Sequence, residues 1–277
     1  MLGSLMTMVP TVLCSLYVDQ QGEAGGPVAL LWPSLFTDGA MWRSQVDALT
    51  AVGWRTLTVD PPGHGRSASP RRRFTMDECA DAALTVLDAA GAHSPVLLLG
   101  TSWGGFVAPR VALRAPGRVL GMVLFNTSAE RFGLLGRARA RLLTRLLAIG
   151  GLDRAVDGTI ASSLLAPDTR RHRPEVETDL LTRLRSWDRQ GLITAVRSVL
   201  VDRQPVLGAL GQVACPALIV SGAEDRTLPS VHGHRMAAEL PAGRHVEVDG
   251  AAHLVPLERA DAANRLILDF ATGLRGA

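Results

Sequence analysis

The chain predicts an α/β fold, a mostly parallel sheet flanked by helices, with an all-helical lid inserted between its two halves. Three observations carry this. Short apolar runs alternate with amphipathic stretches up to about Ser128 and again beyond Leu210, the pattern of a parallel sheet covered on both faces. Between those points the strand signals stop, and Leu/Arg/Ala stretches recur at helical spacing. Near the centre, an apolar run ends in Gly100-Thr-Ser-Trp-Gly104, a serine between glycines where a strand should give way to a helix.

In the first half, Thr11–Val18, Val28–Trp32, Arg55–Asp60, Val96–Leu99 and Val119–Phe125 read as strands. Met41–Ala51, Thr75–Ala90 and Trp103–Ala115 read as the helices between them. Leu134–Ile149, Val176–Arg189 and Leu192–Val201 follow at helical spacing, punctuated by Gly150-Gly151, Pro167, Pro174 and Gly191. The alternation resumes with Ala217–Ser221 and His245–Asp249 as strands, and Leu228–Leu240 and Pro256–Thr272 as helices. Residues 1–128 and 211–277 are therefore expected to form the core, and 129–210 the lid. A chain of 277 residues that is 47% hydrophobic suits one such core with one insertion.

Composition narrows the function. No apolar run reaches bilayer-spanning length, and Met1 to Thr11 lacks a basic leader and a small-residue cleavage site. Cys14, Cys79 and Cys215 are odd in number and far apart, which favours a reducing, cytoplasmic setting over a disulfide framework. All 29 basic residues are arginine, and a net charge of +3 with interleaved signs gives no footprint for nucleic acid. No His/Cys/Asp/Glu set has metal-ligand spacing. The expected partner is a small-molecule substrate, with no cofactor, metal, nucleic acid or membrane.

Ser102 is the candidate nucleophile. A serine at a sharp strand-to-helix turn is held in strained backbone with its hydroxyl raised above the sheet, and the following helix aims N–H groups at any oxyanion formed there. It needs a base, and the base needs an orienting acceptor. Of the seven histidines, His253 lies just beyond a strand in Gly250-Ala-Ala-His253, at a carboxyl end where catalytic groups gather on parallel sheets. Asp225, in Gly222-Ala-Glu-Asp225, occupies the equivalent place after the preceding strand and is preferred over its neighbour Glu224. His64, in Asp60-Pro-Pro-Gly-His-Gly-Arg-Ser67, reads as a brace for its loop.

With these four segments in this order, the chain resembles the α/β-hydrolases. Ser34-Leu-Phe-Thr-Asp-Gly-Ala-Met-Trp42 is similar to the corresponding loop of 3-oxoadipate enol-lactonases; haloperoxidase-like esterases and carbon–carbon bond hydrolases share most other features. The resemblance implies a two-step acyl transfer, with an acyl-enzyme on Ser102 formed from a small ester or lactone. It assigns the oxyanion to the backbone N–H groups of Leu35 and Trp103. Phe36 and Trp103, aromatic and close to the serine turn, are candidate substrate-pocket residues, with core packing the equal alternative. Two departures stand out: Pro33-Ser34 replaces the usual His-Gly, and Phe36 stands where the lactonase pattern has glycine. A ligand receptor or sensor with slow or no turnover, and an acyltransferase, would carry the same three side chains.

The lid holds 12 Arg against 7 Asp or Glu between Arg131 and Arg189, which is 12 − 7 = +5. The preferred expectation is a solvated face in an arginine-biased chain, and a steering field for a carboxylated substrate is the alternative. Leu134–Ile149, with Arg at 137, 139, 141 and 145, can be read as a membrane-surface helix. Packing of its apolar stripe over the core is the preferred expectation.

Overall fold

The computed structural model describes residues 5–149 and 153–275. Its spine is an eight-stranded sheet in the order β1-β2-β4-β3-β5-β6-β7-β8. The strands are β1 (Leu5–Pro10), β2 (Ser15–Gln21), β3 (Val28–Trp32), β4 (Arg55–Val59), β5 (Val96–Thr101), β6 (Val119–Phe125), β7 (Ala217–Gly222) and β8 (Gly243–Val248). β1 pairs antiparallel with β2, and β2 with β4; every later pairing is parallel. The central strand β5 is buried along its whole length, which is why its sequence is a continuous apolar run and not an alternating one.

The first strand expected from sequence is corrected. Thr11–Val18 straddles a turn: Pro10 ends β1, and the Thr11 N–H and hydroxyl both donate to the Cys14 carbonyl, at 3.1 and 2.7 Å. The apolar run thus continues through a hairpin corner and resumes as β2. The other strands lie within a residue or two of expectation.

Helices α1 (Arg43–Ala51), α2 (Met76–Ala89) and α3 (Trp103–Arg114) fall between the early strands. α2 starts at a reciprocal capping box, with Thr75 and Glu78 each accepting the other's N–H. Among the described residues, five α-helices run between β6 and β7: α4 (Leu134–Ala148), α5 (Asp153–Leu164), α6 (Pro167–His172), α7 (Pro174–Ser186) and α8 (Arg189–Val196). α5 and α6 carried no clear sequence signal, because Gly158, Thr159, Ser162 and Ser163 dilute the helical pattern of α5. Gly150-Gly151 lies outside the described residues. The segment expected as one helix over Val176–Arg189 ends at Ser186, and Asp188 caps α8 by accepting from Gly191 N–H.

After β7 come α9 (Val231–Glu239), then, beyond β8, α10 (Val255–Glu258) and α11 (Ala260–Arg275). The single helix expected over Pro256–Thr272 is broken at Arg259, whose φ of −135° and ψ of 57° leave helical space. The break puts Glu258, almost fully buried, at the end of α10. Among the described residues no helix is long and apolar enough to cross a membrane.

Candidate active site

The strand registers bring five loops to one edge of the sheet. Trp32 pairs with Gly100, Thr101 with Phe125, Phe125 with Val220, and Gly222 with Val248, so β3, β5, β6, β7 and β8 end at nearly the same level. Leu35, Phe36, Ser102, Asp225 and His253 all lie just past these ends.

Ser102 bridges β5 and α3 with φ 51° and ψ −100°. For a residue with a Cβ such backbone costs on the order of 1–3 kcal/mol, so its surroundings must impose it. They do. Ser102 N–H donates to Phe125 O at 2.8 Å, while Ser102 O accepts from Phe106 N–H at 3.0 Å and the Thr127 hydroxyl at 3.1 Å. The flanking glycines are steric requirements: a Cβ on Gly100 would overlap the backbone of Gly104, and one on Gly104 would overlap the Trp32 carbonyl. Trp103 is the first residue of α3, where N–H groups have no partner inside the helix.

On the next two loops, His253 Nδ1 and Asp225 Oδ2 lie 2.7 Å apart, and both side chains are almost inaccessible. Glu224 is exposed and does not share this contact. Burial alone would raise the Asp225 carboxyl. The charge and hydrogen bond of His253, the Leu228 N–H and the Asn126 amide outweigh it and hold the carboxyl below the ordinary range. Asp225 Oδ1 accepts from Thr227 and Leu228 N–H at 2.8 and 3.0 Å, so the carboxylate takes four donors in all.

Two members of this network escaped the sequence reading. Asn126, fully buried with φ 48°, donates from Nδ2 to Asp225 Oδ2 and to Ala252 O, both at 2.9 Å. Asparagine tolerates the left-handed region better than most residues, and a lone Asn at a strand end was the only available signal. Glu258 Oε1 accepts from Ala252 N–H at 2.8 Å, and its Oε2 from Ala166 N–H at 2.7 Å. It ties the His253 loop to the helical segment. That segment contributes further: Leu164 O accepts from His253 N–H at 3.1 Å, and Ser163 O from the Thr227 hydroxyl at 2.7 Å.

In the loop after β3, Phe36 adopts φ 66°, which accounts for the glycine that the lactonase-like pattern carries there. Its N–H donates to His64 Nε2 at 3.1 Å, and His64 Nδ1 lies 3.0 Å from Pro62 O. His64 therefore holds one neutral tautomer, and burial pushes it down to about 4. It is a brace, as its position in sequence suggested. Thr37 N–H is committed to Ser34 O, while that of Leu35 has no place in the loop's own hydrogen bonds.

Phe36 also lines a cavity of about 210 Å³ with Met41, Val176, Leu180, Trp187 and Leu257, between this loop and α7. The Trp103 indole is not part of that lining. It is fully buried, stacked on Phe74 at 5.7 Å with edges toward His64 and Trp32. Asp225 and His253 are thus joined directly. Ser102 stands on the same sheet edge, and among the described residues no hydrogen bond joins its hydroxyl to His253. No group of three His, Cys, Asp or Glu among those residues is placed to hold a metal ion.

A family model for the alpha/beta hydrolase fold matches residues 27–260. The chain belongs to the α/β-hydrolase family. It is 27% identical over 281 residues to the magnesium-chelatase 30 kDa subunit of Rhodobacter capsulatus, covering 93% of this chain and 91% of that one. The crystal structure of the enol-lactonase from Burkholderia xenovorans LB400 superposes with a TM-score of 0.87 at 25% identity, over 96% of this α/β-hydrolase and 100% of its counterpart. A thermophilic esterase from Thermogutta terrifontis matches in fold, with a TM-score of 0.88 at 23% identity over 98% and 99% of the two chains. The expected fold class is thereby established, and hydrolases are prominent among its relatives.

Proposed function

We propose that this α/β-hydrolase is a cofactor-free serine hydrolase that cleaves a small carboxylic ester or lactone through an acyl-enzyme on Ser102. The observation that carries the reading is the 2.7 Å contact between His253 Nδ1 and the buried Asp225, on the sheet edge that also presents the strained Ser102 turn. With Nδ1 committed to the carboxylate, Nε2 is the nitrogen left to take a proton.

Ser102 attacks the carbonyl carbon as His253 Nε2 removes the hydroxyl proton, and Asp225 stabilises the imidazolium without being protonated itself. The oxyanion is held by the N–H groups of Trp103 and Leu35; removing one such donor typically costs about 2.7–4 kcal/mol of transition-state stabilisation. The imidazolium returns its proton to the departing alkoxide. Water then repeats the sequence on the acyl-enzyme and releases the acid. Catalytic hydrogen bonds often tighten only with substrate in place, so closure of Ser102 onto His253 belongs to the complex. The Phe36-lined cavity receives part of the substrate, and residues 129–210 act as its lid.

Sustained hydrolysis of a short-chain p-nitrophenyl ester tests this. The expected result is many turnovers per enzyme, abolished in Ser102→Ala with the fold intact. A single stoichiometric burst from the wild type, or undiminished hydrolysis by the variant, would overturn it.

A further inference from the structure

Helix α4 has two apolar faces, and among the described residues only one is packed inside the molecule. On the inner face Ala140 and Thr144 are buried, and Leu143, Leu146 and Leu147 pack against the core. On the opposite face Leu135 and Leu142 recur one heptad apart, joined by Leu134 and Ala138, and Ile149, the residue that ends the helix, follows at the next heptad position. Leu134, Leu135, Leu142 and Ile149 are 77, 65, 55 and 56% exposed. A folded protein does not gain from holding four large aliphatic side chains together in water, and such patches mark contact surfaces. Core packing accounts for one apolar stripe of this helix; the structure shows a second stripe turned outward.

The charges on the helix say what it contacts. Arg139 and Arg141 flank the outer stripe on either side, Arg145 lies within it, and all three are exposed. Residues 131–152 contain no Asp or Glu. A second copy of this chain meeting the face about a two-fold axis would set arginine against arginine. An anionic amphiphilic surface instead satisfies both features at once, accepting the leucines below its headgroups and the guanidiniums among its phosphates. We propose that α4 is an interfacial helix that lays its outer face on an anionic lipid surface. It lies in the surface plane and does not span the bilayer. The inference is independent of the acyl-enzyme reading, although α5, which follows, ends on the carbonyl that accepts from His253 N–H.

Flotation with phosphatidylglycerol-containing vesicles, against pure phosphatidylcholine vesicles, tests it. The wild type should bind the anionic vesicles preferentially, and binding should weaken as salt rises. Leu135→Gln/Leu142→Gln should lose at least about tenfold in partitioning. Arg139→Gln/Arg141→Gln/Arg145→Gln should lose on the order of a hundredfold and most of the salt dependence. Both variants alter exposed positions and should melt as the wild type does, and Ser102→Ala should bind vesicles normally. The proposal is overturned if the wild type shows no preference for anionic vesicles, or if the leucine pair can be replaced without effect. It is equally overturned if that replacement instead dissolves a dimer in vesicle-free buffer, which would make the face a contact between copies.

Discussion

The serine turn and the acid–histidine pair reach the same edge of the sheet by different means. Ser102 is set by its sequence neighbours: Gly100 and Gly104 leave room for a backbone that no ordinary turn would hold, and adjoining strand ends pin its peptide groups. Asp225 and His253 are set by residues far away in sequence. Asn126 reaches Asp225 across 99 positions, Ala166 reaches Glu258 across 92, and Thr227 reaches Ser163 across 64. Strain can be stored locally by close packing, whereas a buried carboxylate stays charged only when several donors converge on it.

Substitutions on the two sides should therefore fail differently. The largest effect belongs to Ser102→Gly, which should lower ester turnover by a factor of about 10⁴ or more. It should also gain on the order of 1 kcal/mol of stability, because glycine adopts the φ of 51° without strain. A fall in melting temperature would show that the turn is not strained. Gly104→Ala should destabilise by about 3 kcal/mol or more in thermal unfolding, since its Cβ has no space beside the Trp32 carbonyl.

On the acid–histidine side, Asn126→Gly keeps the left-handed backbone and removes only the amide. The expected loss is about 1–3 kcal/mol at neutral pH. Asp225 is held below its ordinary value in the fold, so its stabilisation is present above about pH 4 and disappears as pH falls through the lower, folded value. Denaturant unfolding at neutral and acid pH should show the Asn126→Gly deficit shrinking in acid. A deficit of the same size at both would mean that the amide does not act through the carboxylate.

The smallest net effect is at the Phe36 loop. His64 is held down near 4, so the unfolded chain protonates first and stability falls as pH drops from about 6.5 toward 4, by at most about 3 kcal/mol. Burial lifts Asp60, which shares with His64 the loop after β4, to about 6, and this acts in the opposite sense over nearly the same range. The wild type should therefore show a shallow dependence. His64→Gln should become relatively more stable as pH falls from 6 toward 4, and an unchanged profile would contradict the neutral brace.

This contrast also explains what the sequence could convey. The serine turn is legible because its requirements are local: a buried strand, two glycines and a helix start within a dozen residues. Asp225 and His253 are legible through their places after strands, and His64 through its loop. Asn126 and Glu258 are not, because a single Asn or Glu carries no periodicity and its role exists only once distant strands pair. The hairpin corner at Thr11 was missed since apolar residues continue through it, and the outward stripe of α4 because both faces of one helix are leucine-rich.

The most direct test of the account is reaction with a fluorophosphonate probe followed by peptide mapping. It predicts one adduct, on the peptide containing Ser102, and its loss in His253→Ala. An adduct on another residue, or labelling of Ser102 that persists without the imidazole, would contradict it.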